Sequence, residues 1–494
     1  MMRTSTGSCN RRLFIVILAA AAAVSAGAQR RAQPAAAALP AGIRPYVRVD
    51  APVVALTGIR VIDGTGAAAR AGQTILIEHG RLAALGADGQ VAIPAGAQVL
   101  KLPGDTVLPG LVLMHEHLFY PNGGSPPFYG EMGYSFPRLY LACGVTTART
   151  TGSIEPYTDL ALKRMIDAGR MPGPDFDITG PYLEGRGAYT PQMHELSGPA
   201  DARRTVNYWA TEGATSFKAY MHITRAELAA AIQAAHAHGF KITGHLCAVG
   251  FREAARLGID DLEHGLLVDT EFDPGKRPDL CPSQLLTEKT LAGMHAGGPR
   301  IQRTIQALVR RHVAVTSTLP VFETFVPNRP SMRFEAPSLR ALLPELRLSY
   351  LTTRARIAQT AAHSLWPGLL KQEMAFERNF VRAGGLLLAG EDPTGYGGDL
   401  AGFGDQRELE LLVQAGFTPL EAIHIATYNG ALYLGRLRQI GTLAAGKRAD
   451  LLIVRGNPAA DIRAIEHPVL VFKAGIGYDS QRLIQSVSGQ AGLH

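Results

Sequence analysis

The chain has 494 residues, of which 46% are hydrophobic and 18% are charged, so it can bury a large core and is not an intrinsically disordered polypeptide. Its length is sufficient for one domain of the barrel size class together with a smaller domain. The formal net charge is +7, but Lys and Arg form no dense run, and this argues against a nucleic-acid-binding protein.

The first 28 residues have the features of an export signal peptide. Arg11 and Arg12 precede an apolar run over residues 13–24, and Ala26-Gly27-Ala28 fits a small-x-small cleavage site. The apolar run is too short to remain as a stable membrane anchor. The arginine pair also resembles a twin-arginine signal, and an ordinary secretory signal fits equally well, so we expect a periplasmic or secreted protein. Residues 29–48 are rich in Ala, Pro and Arg and predict a linker.

Three cysteines remain after the predicted cleavage site, namely Cys143, Cys247 and Cys281. Their number is odd, and no CxxC spacing occurs. One disulfide could form in an oxidising compartment, but we expect buried free thiols.

Three stretches with different patterns follow the linker. Residues 49–108 contain short β-type runs separated by turn signals and predict a small all-β module. Residues 109–438 alternate strand and helix patterns, which indicates parallel strands with crossover helices, in a barrel or a doubly wound sheet. Within them, residues 283–383 are longer than one strand-helix unit requires and predict an insertion. Residues 439–494 return to β patterns, and the simplest packing joins both chain ends in one β-sandwich.

One apolar strand pattern ends in His115-Glu116-His117. Residues two apart on a strand point to the same face, so both imidazoles would project together. Such a pair alone is more often structural than metal-binding. Further residues with metal-binding chemistry follow other predicted strands, namely Lys218, His245, His264 and Asp392. The carboxyl ends of parallel strands converge on one face, so we expect these side chains to lie close together. Their residue types have the right chemistry for two metal ions.

These motifs together resemble the amidohydrolase superfamily. The His115-x-His117 pair after Leu108-Pro109-Gly110-Leu111, the single histidines His245 and His264, and Gly390-x-Asp392 carry the resemblance. Further stretches are also typical of that superfamily: Ser216-Phe217-Lys218-Ala219-Tyr220, Gly144-Val145-Thr146-Thr147, and the run from Ile440 to Leu451. The similarity extends from Val53 to Phe472 and indicates the imidazolonepropionase-like and Xaa-Pro-dipeptidase-like branch.

The resemblance implies a distorted (β/α)₈ TIM barrel with a composite β-sandwich and two divalent metal ions, usually Zn²⁺. By that resemblance, His115, His117 and Asp392 hold the first metal, and His245 and His264 hold the second. Imidazole nitrogens and carboxylate oxygens are ordinary ligands of such ions.

The resemblance also assigns roles to two of these residues. Carboxylated Lys218 would bridge both metals together with a hydroxide, because a carbamate offers two oxygens whereas an amine does not. Asp392 would take the proton of the nucleophile and pass it to the leaving nitrogen. The superfamily commonly has Asp two residues before the first His, but Leu113 stands there, and we expect weaker orientation of the ligand rather than a lost ligand. Glu116 and Glu263 neighbour the ligands and are expected to point to the opposite strand faces as structural residues.

Two further catalytic candidates lie outside the ligand set. Tyr220 shares a strand face with Lys218 and could donate to a substrate carbonyl, although a packed core tyrosine fits equally well. His194 lies with Arg186 and Tyr189 in a predicted loop after a strand, where substrate contacts are common. For Arg186, a solvent-exposed loop side chain is the more frequent case than a substrate contact.

The sequence therefore predicts an exported hydrolase of amide bonds in a small substrate, of the dipeptide or N-acyl amino acid type. A hydantoinase-like hydrolase of cyclic amides is a second hypothesis. A mononuclear deaminase is a third, against which Lys218 argues, and a binding protein without catalysis is a fourth, against which the complete ligand set argues. No G-x-S-x-G motif supports a serine hydrolase. Nucleic acid is not expected as a partner, and self-association is left open.

Overall fold

The computed structural model describes residues 39–122, 127–330, 332–394 and 399–492, and gives only the backbone for residues 332–335. The predicted signal peptide and most of the predicted linker lie outside the described residues. Residues 40–494 belong to one unit. Among the described helices, none combines the length and the apolar character that a bilayer crossing demands.

The first β segment and the last one belong to a single mixed sheet. The N-terminal strands are β1 (Val47–Val49), β2 (Val53–Val61), β3 (Arg70–Glu78), β4 (Arg81–Ala87), β5 (Gln98–Lys101) and β6 (Asp105–Pro109). The central strands are β7 (Leu111–Glu116), β8 (Phe119–Pro121), β9 (Tyr129–Glu131), β10 (Val145–Thr150), β11 (Asp175–Asp177), β12 (Ser216–Ala219), β13 (Lys241–Gly244), β14 (Asp261–Glu263), β15 (Ala314–Ser317) and β16 (Leu387–Ala389). The last strands are β17 (Leu451–Arg455), β18 (Pro468–Lys473) and β19 (Ile476–Asp479).

The strands of the two chain ends form one nine-stranded sheet, in the order β1-β19-β18-β17-β6-β2-β3-β4, with β5 beside β2, so that the last three strands lie between β1 and β6. Strand β17 lies antiparallel to β6, with Leu452 opposite Leu108. Apolar side chains from both ends share one buried cluster, which includes Leu56 and Ile75 from the first segment and Ile453 and Phe472 from the last. The two ends therefore depend on each other for burial of their apolar faces.

The central region is mixed α/β with parallel sheets. One sheet has the order β11-β10-β7 and the other has the order β12-β13-β14-β15-β16, and all their pairings are parallel. Every residue of β7 and β10 is buried, as expected for parallel strands that are covered on both faces. Parallel bridges join Thr179 to Ser216 and Leu183 to Ala219, and the backbone N–H of Asp392 donates to the His115 carbonyl at 3.1 Å. The two parallel sheets thus adjoin at both of their edges.

Helices connect most of the parallel strands. Their bounds are α1 (Phe136–Ala142), α2 (Pro156–Asp167), α3 (Pro199–Glu212), α4 (Arg225–Ala237), α5 (Phe251–Leu257), α6 (Gln284–Ala292), α7 (Pro299–Arg310), α8 (Leu319–Glu323), α9 (Met332–Ala341), α10 (Pro344–Gln359), α11 (Trp366–Arg382), α12 (Phe403–Ala415), α13 (Pro419–His424), α14 (Gly430–Tyr433) and α15 (Ser480–Ser486). Capping boxes begin α4, where Thr224 pairs with Glu227, and α13, where Thr418 pairs with Glu421. Helices α6 to α11 lie between β14 and β16 and account for most of the predicted insertion.

Gly390 allows β16 to approach β7 closely. A Cβ atom at this position would lie 2.6 Å from the backbone nitrogen of His115 and would also collide with the His115 Cβ. No side chain can therefore occupy this point without moving the histidine.

The variant Gly390→Ala should lower the free energy of unfolding by about 1–3 kcal/mol, because it overpacks a buried contact, and it should also lower the metal content of the purified protein. Thermal unfolding and elemental analysis measure both effects. Gly368→Ala is the matched control, since a Cβ there meets no atom within 4 Å. Equal stability and metal content in both variants would contradict the close approach.

Candidate metal centre

Two histidines at the end of β7 and one aspartate after β16 form a compact buried group. Nε2 of His117 lies 3.1 Å from Oδ1 of Asp392, and Nε2 of His115 lies 3.7 Å from the same oxygen. One potential ligand atom of each residue lies within 4.8 Å of those of the other two. Nitrogen and oxygen donors at such separations can bind one divalent cation.

The other predicted ligands lie beside this group. Nζ of Lys218, on β12, lies 3.3 Å from Nε2 of His115. The ring centroids of His264 and His115 are 4.6 Å apart, and Nε2 of His264 lies 3.9 Å from Oδ2 of Asp392. The ring of His245 is 4.4 Å from that of His264. The fold therefore brings together all six residues that the sequence predicts as metal ligands.

Left-handed backbone conformations place two of these side chains. His264 has a φ of 68° and Asp392 has a φ of 56°, values that residues other than glycine seldom adopt. The turn at His264 interrupts the alternation of the strand, so that Glu263 and His264 both reach the site although they are consecutive. This explains why strand alternation alone misplaces Glu263.

Buried polar atoms of the site fit a cation. Nδ1 of His115 lies 2.7 Å from Oε2 of Glu263, and Nδ1 of His264 lies 2.8 Å from Oγ1 of Thr318. These contacts leave Nε2 of each ring directed toward Asp392. Nε2 of His264 is buried and has no hydrogen-bond partner within the described part of the chain. A buried imidazole nitrogen that lacks a protein partner is the arrangement a metal ligand requires.

Burial keeps the site residues in metal-binding protonation states. Burial, together with the charge of nearby Lys218, lowers the pKa of His245 to about 3. Burial and the Lys218 charge also lower the pKa of His115 well below its usual value. The pKa of Lys218 falls to about 8, mainly through burial. Imidazoles that stay neutral at pH 7 are available as ligands.

Glu263 and Arg149 support the site, and both escape prediction from the sequence. The guanidinium of Arg149 is buried, with Nη2 2.8 Å from Oε1 of Glu263 and 2.9 Å from Oδ2 of Asp261. Glu263 in turn orients His115, so it is not the outward structural residue expected from strand alternation. Leu113 is fully buried and apolar, so it cannot orient His115 as an aspartate at its position would. The carboxylate that orients His115 is that of Glu263 on β14. The sequence feature that could have indicated the role of Glu263 is its position directly before His264.

The other two catalytic candidates occupy different surroundings. The ring of Tyr220 lies 5.0 Å from that of His245 and 4.8 Å from that of Tyr182. In contrast, Nε2 of His194 lies 3.1 Å from Oδ2 of Asp201, and its side chain is 59% exposed. The fold therefore brings Tyr220 beside the predicted ligands but places His194 elsewhere.

A cavity of about 280 Å³ opens onto the site. Its wall includes metal-ligand candidates, among them Lys218, His245 and Asp392, as well as Tyr220. Aromatic residues form much of the remaining wall, namely Phe119, Tyr129, Tyr182, Tyr189, Phe322, Phe325 and Trp366. Within the described ranges, neither His194 nor any arginine lines it. The cavity therefore suits a substrate with a large apolar group.

A disulfide joins Cys247 to Cys281, with their Cα atoms 5.0 Å apart, and Cys143 is a buried free cysteine. The expectation of free thiols was therefore wrong for two of the three cysteines. The two half-cystines are 34 residues apart in sequence and meet only because the segment before α6 folds back over the end of β13. Both also line the cavity.

Comparison with known proteins identifies related sequences and folds. A family model described as the amidohydrolase family matches residues 340–476. Ochratoxinase from Aspergillus niger is 32% identical over 143 residues. These residues cover 26% of this chain and 28% of that protein, so the match spans little more than a quarter of the curated relative.

Solved structures match over much more of the chain. A candidate prolidase from Bifidobacterium longum is 26% identical, covers 88% of this chain and 98% of that one, and has a TM-score of 0.62. A Xaa-Pro dipeptidase with bound methionine is 19% identical, covers 86% of this chain and 100% of that one, and has a TM-score of 0.64. This second likeness concerns the fold alone.

The variant Glu263→Gln should bind the first metal about 10- to 100-fold more weakly, because His115 loses its carboxylate partner. Competition with a chromogenic chelator measures the affinity. Asp261→Asn is the control, since Asp261 shares Arg149 but does not contact His115. An unchanged affinity in Glu263→Gln would refute the orienting role.

Loss of the Cys247–Cys281 link should reduce stability. The variant Cys281→Ser should lower the free energy of unfolding by about 2–4 kcal/mol, because the unfolded chain gains freedom. Chemical denaturation measures the change. Dithiothreitol should destabilise the unsubstituted protein by a similar amount and leave the variant unaffected. A reductant effect of equal size in both proteins would argue against the link.

Proposed function

We propose that this chain, which belongs to the amidohydrolase superfamily, is a metal-dependent hydrolase that cleaves an amide bond in a small substrate. The observation that carries the proposal is the gathering of four imidazoles, Lys218 and Asp392 beside one aromatic cavity. Hydrolases that act on carbon–nitrogen bonds need an activated water, a polarised carbonyl and a proton donor for the leaving nitrogen. Nothing in this set of groups favours a deaminase or a binding protein.

The proposal also covers how the strands are arranged into a barrel and a sandwich. The parallel strands β7, β10, β11 and β12 to β16 would form a distorted (β/α)₈ barrel, and the nine-stranded sheet would fold into a composite β-sandwich. The bridge between Thr179 and Ser216 and the hydrogen bond from Asp392 to His115 support closure at the two edges. In such a barrel, the ligands lie at the carboxyl ends of the strands, where active sites of this architecture occur.

Two divalent metals, with Zn²⁺ as the proposed identity, would be bound by the donor set. His115, His117 and Asp392 would hold one, His245 and His264 the other, and carboxylated Lys218 would contact both. Lys218 is buried and forms no ion pair with any described residue, which leaves its amine available for carboxylation. When bound, the metals lower the pKa of water and polarise a carbonyl.

Two residues of the chain would handle the proton and the substrate. Oγ1 of Thr394 donates to Oδ1 of Asp392 at 2.7 Å and orients the carboxylate. Asp392 would take a proton from the attacking water and deliver it to the leaving nitrogen. Burial raises the pKa of Tyr220 well above its usual value, so its hydroxyl keeps a proton and would donate it in a hydrogen bond to the substrate carbonyl.

The proposed substrates are dipeptides or N-acyl amino acids with a large apolar side chain. The aromatic wall of the cavity supports this choice. Two similar proteins, an ochratoxinase and a Xaa-Pro dipeptidase, are compatible with amide cleavage. We also propose export, which the disulfide supports because such bonds persist in oxidising compartments.

Metal analysis and kinetics test the function together. We expect about two transition-metal ions per chain and hydrolysis within a panel of dipeptides and N-acyl amino acids. Asp392→Asn should lower kcat at least about 100-fold, since it removes the proton acceptor. Asp167→Asn, in an exposed ion pair with Lys163, is the control.

Each part of the proposal has its own contradicting result. An unimpaired Asp392→Asn variant would refute the role of the aspartate. A single metal per chain would refute the contact of Lys218 with two ions. Absence of hydrolysis across the panel by metal-replete protein would favour a binding protein.

A further inference from the structure

A second group of carboxylates lies behind the metal centre. Glu116 stands between the two histidines at the end of β7, and Glu391 immediately precedes Asp392. Asp399 and Asp405 flank the start of α12. Because strand neighbours point to opposite faces, Glu116 is directed away from His115 and His117. The proposed hydrolase leaves all four carboxylates without a role.

These carboxylates are buried, and all but one of their oxygens lack a hydrogen-bond donor in the described part of the chain. Glu116, Glu391 and Asp405 have no exposed surface, and Asp399 is 2% exposed. The backbone N–H of Gly402 donates to Oε1 of Glu391 at 3.2 Å. Every other carboxylate oxygen of the four lacks a hydrogen-bond partner among the residues that the structure describes. Nor does any of the four form an ion pair with a described Lys or Arg, although charged groups are rarely buried unless they are paired.

The oxygens are spaced as ligands of one cation. One oxygen each from Glu116, Glu391 and Asp405 lies within 4.8 Å of the other two. Oxygens bound to the same Ca²⁺ at about 2.4 Å are at most about 4.8 Å apart.

Asp399 adds an independent, unpartnered carboxylate that is directed to the same place. A Cβ at Gly404 would collide with both Oδ1 of Asp399 and Oε2 of Glu391. The absent side chain of Gly404 thus leaves room for these two oxygens to face each other.

We propose that Glu116, Glu391, Asp399 and Asp405 bind a hard divalent cation of the calcium type. Carboxylates this close together cannot all be ionised in a buried volume without a compensating charge. A set made only of oxygens favours Ca²⁺ over Zn²⁺, which prefers nitrogen and sulfur donors. Asp399 and Gly404 also line a cavity of about 320 Å³ that is separate from the cavity at the metal centre and provides a route for the ion.

The cation would have a structural role. It would connect three elements: the carboxyl end of β7, the segment after β16 and the first turn of α12. These same strand ends carry His115, His117 and Asp392, so the ion would stiffen the base of the first metal position. This inference does not depend on the proposed hydrolase activity.

The first test uses the full chain without substitutions. After equilibrium dialysis against CaCl₂, elemental analysis should find about one Ca²⁺ per chain in addition to the transition metals. Millimolar CaCl₂ should raise the thermal midpoint by at least about 2 °C. MgCl₂ at equal concentration should have a smaller effect, because Mg²⁺ demands a stricter geometry. Absence of saturable Ca²⁺ binding, or equal responses to both salts, would overturn the proposal.

Variants locate the site. Asp405→Asn should lose the bound Ca²⁺ and the thermal response to CaCl₂ while it keeps the transition metals. Asp399→Asn tests the same ligand set if the first variant does not fold. Glu377→Gln is the matched control, because Glu377 on α11 is also fully buried with both carboxylate oxygens unpartnered in the described structure. Retained Ca²⁺ and an unchanged thermal response to CaCl₂ in both aspartate variants would overturn the assignment of these carboxylates as the ligands.

Discussion

The buried pairing of Arg149 with Glu263 is the interaction on which the metal centre depends. The guanidinium compensates two carboxylates, Glu263 and Asp261, that would otherwise be costly to bury. Glu263, held in this way, lies 2.7 Å from Nδ1 of His115 and keeps that ring in one orientation. Arg149 also donates from Nε to the carbonyl of Met114, so the same side chain supports the strand that carries the ligand. Arg149 thus balances the buried acids and, through Glu263 and the Met114 carbonyl, supports the orientation of His115.

The gathering of the six candidate ligands could be predicted from the sequence, because they follow predicted parallel strands and stand in motifs that resemble the amidohydrolase superfamily. The side chains of His115, Lys218 and Asp392 come at the ends of apolar strands, and parallel strands bring such ends together. Long-range contacts have no comparable local signal. The link between Cys247 and Cys281, the reach of Glu263 to His115 and the burial of Arg149 each depend on the completed fold. The left-handed turn at His264 interrupts strand alternation, so that this residue reaches the site together with Glu263. His194 is predicted from the general rule that loops after strands contact substrates, but it binds Asp201 and is not among the described residues that line the cavity.

Two groups of buried acidic residues lie on opposite faces of β7, and their charges are balanced in different ways. Near His115, an arginine balances the acidic residues and is itself part of the fold. Behind the same strand, Glu116 and Asp405 have no basic partner among the described residues, and their compensation must come from solution as a proton or a cation. The two faces of β7 therefore differ: on one face a basic side chain of the protein balances the buried acids, and on the other the balance depends on what the surrounding medium provides.

The shared sheet of the two chain ends imposes an order of events on synthesis. Strand β6 leads through Gly110 directly into β7, and β6 pairs with β17, which lies more than three hundred residues later. A ribosome releases the N-terminal strands long before β17 to β19 exist. Until β17 emerges, β6 can pair only with β2 and exposes its other edge, which is a known risk for association with other chains. The earliest ligand strand is thus tethered to β17, and full assembly of the metal centre waits until β17 has been synthesised.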